Sequence, residues 1–263
     1  MSMADNLAAV RTRIDDACRA CDRNPGEVSL LPVSKTKPPS MVDEAYRAGY
    51  RLFGENKVQD ALAKSELMDD DHPGLEWSII GGLQTNKAKY VARFATEFQA
   101  LDSLKIAHEL DKRLQKEGRQ LRVLVQVNSS AEPQKSGIAP EEAVDFAREL
   151  AAFDSLDVRG LMTVALNSSD QRAVADCFDL VVATQEKLRQ EAGDTSDWSE
   201  LSMGMSGDLE IAIAHGSTQL SISPYRTTAG EGTWYREDDR GNDTAGQWNS
   251  LYSLGFDGIA QPY

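Results

Sequence analysis

Residues 29–37 read SLLPVSKTK. Leu30, Leu31, Pro32, Val33 and Ser34 suit a buried strand, and that strand runs straight into Lys35, with Lys37 and two prolines behind it. α/β folds carry their chemistry at the C-terminal ends of their strands, so a lysine there is placed for function. The competing reading is a solvated lysine at a strand end.

Working outward, residues 5–19 predict a helix, because Leu7, Val10, Ile14 and Cys18 recur at helical spacing. Ser40 predicts the cap of a second helix that ends at Gly49. Strands are predicted at 51–53, 76–80, 98–101, 121–127, 158–164, 200–203 and 219–223, alternating with helices. The run LRVLVQV at 121–127 is the clearest of them. Such alternation with short connections means parallel strands and crossover helices. It fits a (β/α)8 TIM barrel, with the leading helix closing its base. An open doubly wound sheet is the alternative. Its dinucleotide-binding version has no support, because the first βα turn lacks GxGxxG.

Composition narrows the partners. The chain has 263 residues and a formal net charge of −14. That balance argues against a nucleic-acid backbone and against anionic membrane surfaces, both of which select basic proteins. No segment approaches the roughly 18 apolar residues of a membrane span. Cys18 and Cys21 form a CxxC inside a helical pattern with no second pair, so they read as core residues. A cytoplasmic location is the expectation. His72, His108 and His215 share no ligand spacing, so no metal is expected.

The residues just after the strands are Lys35, Asn56, Gln84, Asn86, Asp102, Asn128, Thr163 and the run at 202–206. In a barrel these turns converge on one face. One amine among amides and hydroxyls suits an anionic or carbonyl-bearing ligand. Gly204, Ser206 and Gly207 precede a helix that begins near Asp208, and free N–H groups at a helix start make an anion site. Barrel phosphate sites commonly use the loops after strands 7 and 8. Alternatively Ser206 caps the helix, and both roles are compatible. A lysine and a phosphate cradle across one barrel mouth together suggest pyridoxal 5′-phosphate, which offers an aldehyde to the first and a phosphate to the second. Asn56 and Asn128 then bond its ring hydroxyl or shape the mouth.

The segments VSKTKP (33–38), FGENKVQ (53–59), GLEWSIIGGLQTNK (74–87), VNSSAEPQKSG (127–137), RGLMT (159–163) and LSMGMSGDLEIAIAHGST (201–218) extend this reading. In that order the chain resembles the pyridoxal-phosphate homeostasis proteins, single-domain fold-type III barrels similar to the barrel half of alanine racemase without its second domain. The resemblance implies that Lys35 carries the cofactor as a Schiff base and that Asn56 lines the site. It implies that Ser206, with Met205 and neighbouring backbone, holds the phosphate, and that Lys37 and Lys135 help hand the cofactor on. It also implies a monomeric carrier in cofactor homeostasis, with cofactor-dependent apoenzymes as recipients. Strong catalysis is not expected. Racemisation needs acid/base groups on both faces of the substrate carbon, and the chain offers no second domain for one. A weak amino-acid racemase is the alternative, and a decayed, ligand-free barrel a third reading.

Two departures stand out. Ser78 replaces a histidine usual in the family. After Thr218 the family has an arginine near the ring nitrogen and a glycine–threonine pair near the phosphate, where this chain has Ser221, Ser223 and Pro224. Ser221 and Ser223 therefore become the cofactor-facing candidates of the last strand. The barrel domain is expected to span 1–224. Residues 225–263, rich in Gly, Asp, Thr and Trp, show no helical or strand period and read as an irregular tail.

Overall fold

The computed structural model describes residues 2–130, 132, 135–193, 196–224, 232–237 and 243–248. Strands β1 (Ser29–Pro32), β2 (Leu52–Glu55), β3 (Glu76–Ile79), β4 (Glu97–Leu101), β5 (Leu121–Gln126), β6 (Leu156–Met162), β7 (Glu200–Ser202) and β8 (Gln219–Ile222) form one parallel sheet. Its order runs β1-β8-β7-β6-β5-β4-β3-β2. A parallel bridge between Val33 and Gly54 joins its two ends, and Ser34 N donates to Gly54 O at 2.9 Å. The sheet is thus a closed (β/α)8 barrel, and the open doubly wound alternative falls.

The strands form because their residues are buried on both faces, which favours near-continuous apolar runs over alternation. β5 is the plainest case, with Leu121, Val123, Leu124 and Val125 all buried. Helices α2 (Pro39–Arg47), α3 (Val58–Met68), α4 (Ala88–Phe94), α5 (Leu104–Glu117), α6 (Ala143–Leu150), α7 (Gln171–Glu191) and α8 (Leu209–Ala214) follow β1 to β7 in turn. Pro39 opens α2, where its fixed φ suits the first helical position. The N-cap is Pro38, so Ser40 lies inside the helix and is not its cap.

The leading helix α1 (Met3–Ala20) is capped by Ser2 and Asp5 in a reciprocal capping box. It packs between α8 and α2 and so fills the place a helix after β8 would take. It completes the outer ring and does not close the base. Arg23, just past its end, donates to Ile213 O and Ser217 O at 2.7 and 2.8 Å, and Arg13 pairs with Glu210.

Side-chain direction follows from one contact. Gln99 of β4 and Gln219 of β8, four strands apart, meet at 2.5 Å, so both point into the barrel. In a parallel sheet paired residues share a face. Gln219 pairs with Ser29 and Ser221 with Leu31, so Leu31 and Ser221 face inward, and Val33 keeps that parity at the last bridge before the Lys35 turn. The interior network adds Ser202 Oγ on Gln99 (2.7 Å) and Glu97, which accepts from Gln99 and from Ser78 Oγ (2.7 Å).

In the tail, β9 (Gly232–Glu237) and β10 (Asp243–Trp248) pair antiparallel. The irregular reading of that stretch did not foresee this hairpin, because neither strand alternates apolar and polar residues cleanly. The rest of 225–263 lies outside the described residues.

Candidate functional site

The predicted residues fall on one arc of the barrel mouth. Asn56 follows β2, Lys35 follows β1, Ser221 and Ser223 end β8, and Met205 and Ser206 follow β7. β2, β1, β8 and β7 are consecutive neighbours around the barrel. Lys35, Asn56, Met205, Ser206 and Ser223 are exposed and Ser221 is half-buried, as a ligand face requires.

Lys35 sits in a tight turn closed by Lys37 N donating to Ser34 O at 3.0 Å. Thr36 in that turn has φ 63°, in the left-handed region that β-branched residues avoid. Behind the turn, on the outer face of the sheet, Ser34 and Glu55 are fully buried and Lys64 of α3 nearly so. Lys64 Nζ pairs with Glu55 Oε1 and donates to Ser34 O at 2.8 Å, and Ser34 Oγ donates to the same Glu55 oxygen at 2.7 Å. Lys37 flanks this cluster beside a cavity of about 300 Å³ lined also by Thr36, Asp60 and Lys64. A cleft of about 460 Å³ lies near the other end of α2, lined by Asp43, Arg47 and His72, where Asp43 pairs with Arg47 and hydrogen-bonds His72 Nε2 away from the mouth.

The loop between β7 and α8 is shaped by Gly204, at φ 99°. A Cβ there would lie 2.4 Å from Ala212 Cβ and 2.8 Å from Leu220, so only glycine fits. Ser221 N donates to Gly204 O at 3.1 Å and ties β8 to this loop. Asp208, not Ser206, is the N-cap residue of α8. Its Oδ1 accepts the Met205 N–H at 2.5 Å. Burial raises the Asp208 carboxyl above its ordinary range, opposed by the Met205 and Asp208 N–H groups. The backbone N–H groups of Ser206 and Gly207 take no acceptor among the described residues. Arg13 of α1 holds Ser206 O at 2.9 Å.

Opposite this arc the mouth is self-satisfied. Asn128 Nδ2 donates to Glu132 O and Lys135 O, and its Oδ1 accepts from Ser130, so Asn128 shapes its own loop. Lys135 pairs with Glu132 at 2.6 Å and reaches Ala165 O at 3.2 Å. That contact holds Glu132 below the usual carboxylate range. Gly81 lets the β2 and β3 ends meet, since a Cβ there would lie 2.4 Å from Asn56 O.

Sequence reasoning missed Glu55, Lys64 and Asp208. Glu55 stood inside the quoted GEN motif, but its partner lies nine residues on, across a strand–helix packing contact that no local period marks.

Comparison with known proteins agrees with this architecture. Residues 6–221 match the family described as alanine racemase, N-terminal domain. A pyridoxal phosphate homeostasis protein of Escherichia coli (strain K12) is 42% identical over 224 residues, covering 84% of this chain and 93% of that protein. The solved structure of PipY of Synechococcus elongatus PCC7942 with PLP bound superposes with a TM-score of 0.74 at 32% identity, covering 84% of this chain and 97% of that one. An alanine racemase of Clostridium difficile 630, at 13% identity and a TM-score of 0.66, shares the fold and has 55% of its own length covered. The chain therefore belongs to the alanine racemase N-terminal domain family, and within it to the pyridoxal phosphate homeostasis proteins.

Proposed function

We propose that this protein binds pyridoxal 5′-phosphate at the β7-β8-β1-β2 arc and serves as an intracellular carrier in its homeostasis. The carrying observation is the placement of the exposed Lys35 turn after β1 and, after β7 on the far side of β8, of the Ser206 and Gly207 N–H groups that take no acceptor among the described residues. The family relationship and the PLP-bound PipY structure support the same ligand. When bound, the cofactor supplies an aldehyde that a lysine amine takes up with loss of water, and a phosphate that seeks N–H donors. The residues fit it. Lys35 offers the amine. Ser206 and Gly207 offer donors, while the Met205 N–H is already spent on Asp208. Ser221 and Ser223 offer hydroxyls, and Asn56 follows β2, the strand beside β1.

In this reading the protein acts in the cytoplasm as a single chain and passes its cargo to cofactor-dependent apoenzymes. Lys37 and Lys135 would help hand the cofactor on. Borohydride reduction of the loaded protein followed by peptide mapping tests it. Label is expected on Lys35 and not on Lys37, alongside an absorbance band of the bound cofactor. No band and no label, or label confined to another lysine, would refute the assignment.

A further inference from the structure

The cluster of Ser34, Glu55 and Lys64 lies outside the mouth, so no ligand there touches it directly. Nonetheless it spends a buried charge pair on one backbone carbonyl. Ser34 O accepts from Lys64 Nζ (2.8 Å) and from Lys37 N (3.0 Å), while Ser34 N and Oγ donate to Gly54 O and Glu55. Every polar atom of Ser34 is thereby fixed, one peptide bond from Lys35. The turn it anchors holds Thr36 at φ 63°, a conformation that persists only when the surroundings over-determine it. Glu55 Oε2 is buried and has no partner among the described residues, so the pair is not arranged for its own best satisfaction.

We propose that Lys64 and Glu55 are positioning residues for Lys35: the buried pair fixes the Ser34 carbonyl, and the carbonyl fixes the turn that presents the Lys35 amine to the mouth. This rests on the Lys35 reading above and deepens it.

The test uses the full chain with Lys64→Met, Lys64→Arg as the conservative rescue, and Ser34→Ala as a milder variant should Lys64→Met not fold. The first readout is amide hydrogen exchange of the cofactor-free protein. Exchange of Lys37 N–H is expected to quicken at least tenfold in Lys64→Met, and less in Ser34→Ala, with β5 amides unchanged and Lys64→Arg close to the parent. The second is borohydride trapping of pyridoxal 5′-phosphate at matched occupancy. Label on Lys35 is expected to fall at least threefold in Lys64→Met and to be regained in Lys64→Arg. Unchanged Lys37 exchange, equal quickening throughout the barrel, or undiminished Lys35 label overturns the proposal. If the parent protein itself takes no label at Lys35, the cofactor assignment fails by itself, and the exchange data still decide whether the pair sets the turn.

Discussion

Gly204 and Thr36 hold two backbone conformations of the same sign for opposite reasons. At Gly204 a side chain has no room, since its Cβ would fall 2.4 Å from Ala212 Cβ. Gly204→Ala is expected to cost about 3–5 kcal/mol from overpacking and backbone strain together, read as a loss of thermal stability. At Thr36 the side chain sits exposed in a left-handed turn that a glycine would enter freely. Thr36→Gly is expected to raise stability by about 0.5–1 kcal/mol in a denaturant titration. A loss would show that the Thr36 side chain contributes more than its backbone costs. Lys35 was legible in the sequence because its place at a strand end is a local property. The Glu55–Lys64 pair was not, because a charged residue on a helix reads as solvated unless the sheet behind it is known. Asp208 was hidden in a similar way: the sequence pointed to Ser206 as the cap, and the longer carboxylate of Asp208 took the Met205 N–H instead.

Among the elements, β8 holds the positions where the sequence reading expects a departure from the family. It pairs with β1 from Ser29↔Gln219 to Pro32↔Ile222, so the barrel closes with Ser221 in the paired register and Ser223 and Pro224 just beyond it. Ser221→Arg combined with Ser223→Gly and Pro224→Thr is expected to tighten pyridoxal 5′-phosphate binding by about 2–4 kcal/mol, the scale of charge-assisted bonds. A fluorescence titration reads this as roughly 30- to 1000-fold in Kd, and no gain would sink the role given to those positions. α1 is the other informative element. Arg23→Ala removes two donors to carbonyls near the end of α8 and is expected to cost about 2 kcal/mol, whereas the half-exposed Arg13–Glu210 pair contributes less than about 1 kcal/mol. The apolar run LRVLVQV showed β5 in the sequence. The extent of α2 did not show, because Pro39 starts the helix before the expected cap at Ser40.

Across the whole molecule, the end of the barrel opposite the mouth gathers acidic groups. Glu200 begins β7, and its carboxyl is raised, first by burial and then by Glu97, against the pull of Arg122 and Arg159. A carboxyl raised on folding binds its proton more tightly in the native state. Its unfavourable contribution is therefore absent below the ordinary glutamate range and fully present above the raised value. Glu200→Gln is expected to stabilise the protein at neutral pH by about 0.5 kcal/mol after solvent screening, or about 1–2 °C in Tm, and to lose that gain below about pH 4. A gain that persists in acid would point to packing instead of charge. The eightfold alternation made the barrel legible. The place of α1 was not, since nothing in its own period names its neighbours. That place has a consequence for synthesis. α1 is made well before α8, against which it packs, so its buried apolar residues Met3, Leu7, Ile14 and Cys18 lack that neighbour while every strand from β1 to β7 is being synthesised. The ring seals only when α8 and β8 have emerged, and until then the nascent chain exposes apolar surface that is prone to aggregation.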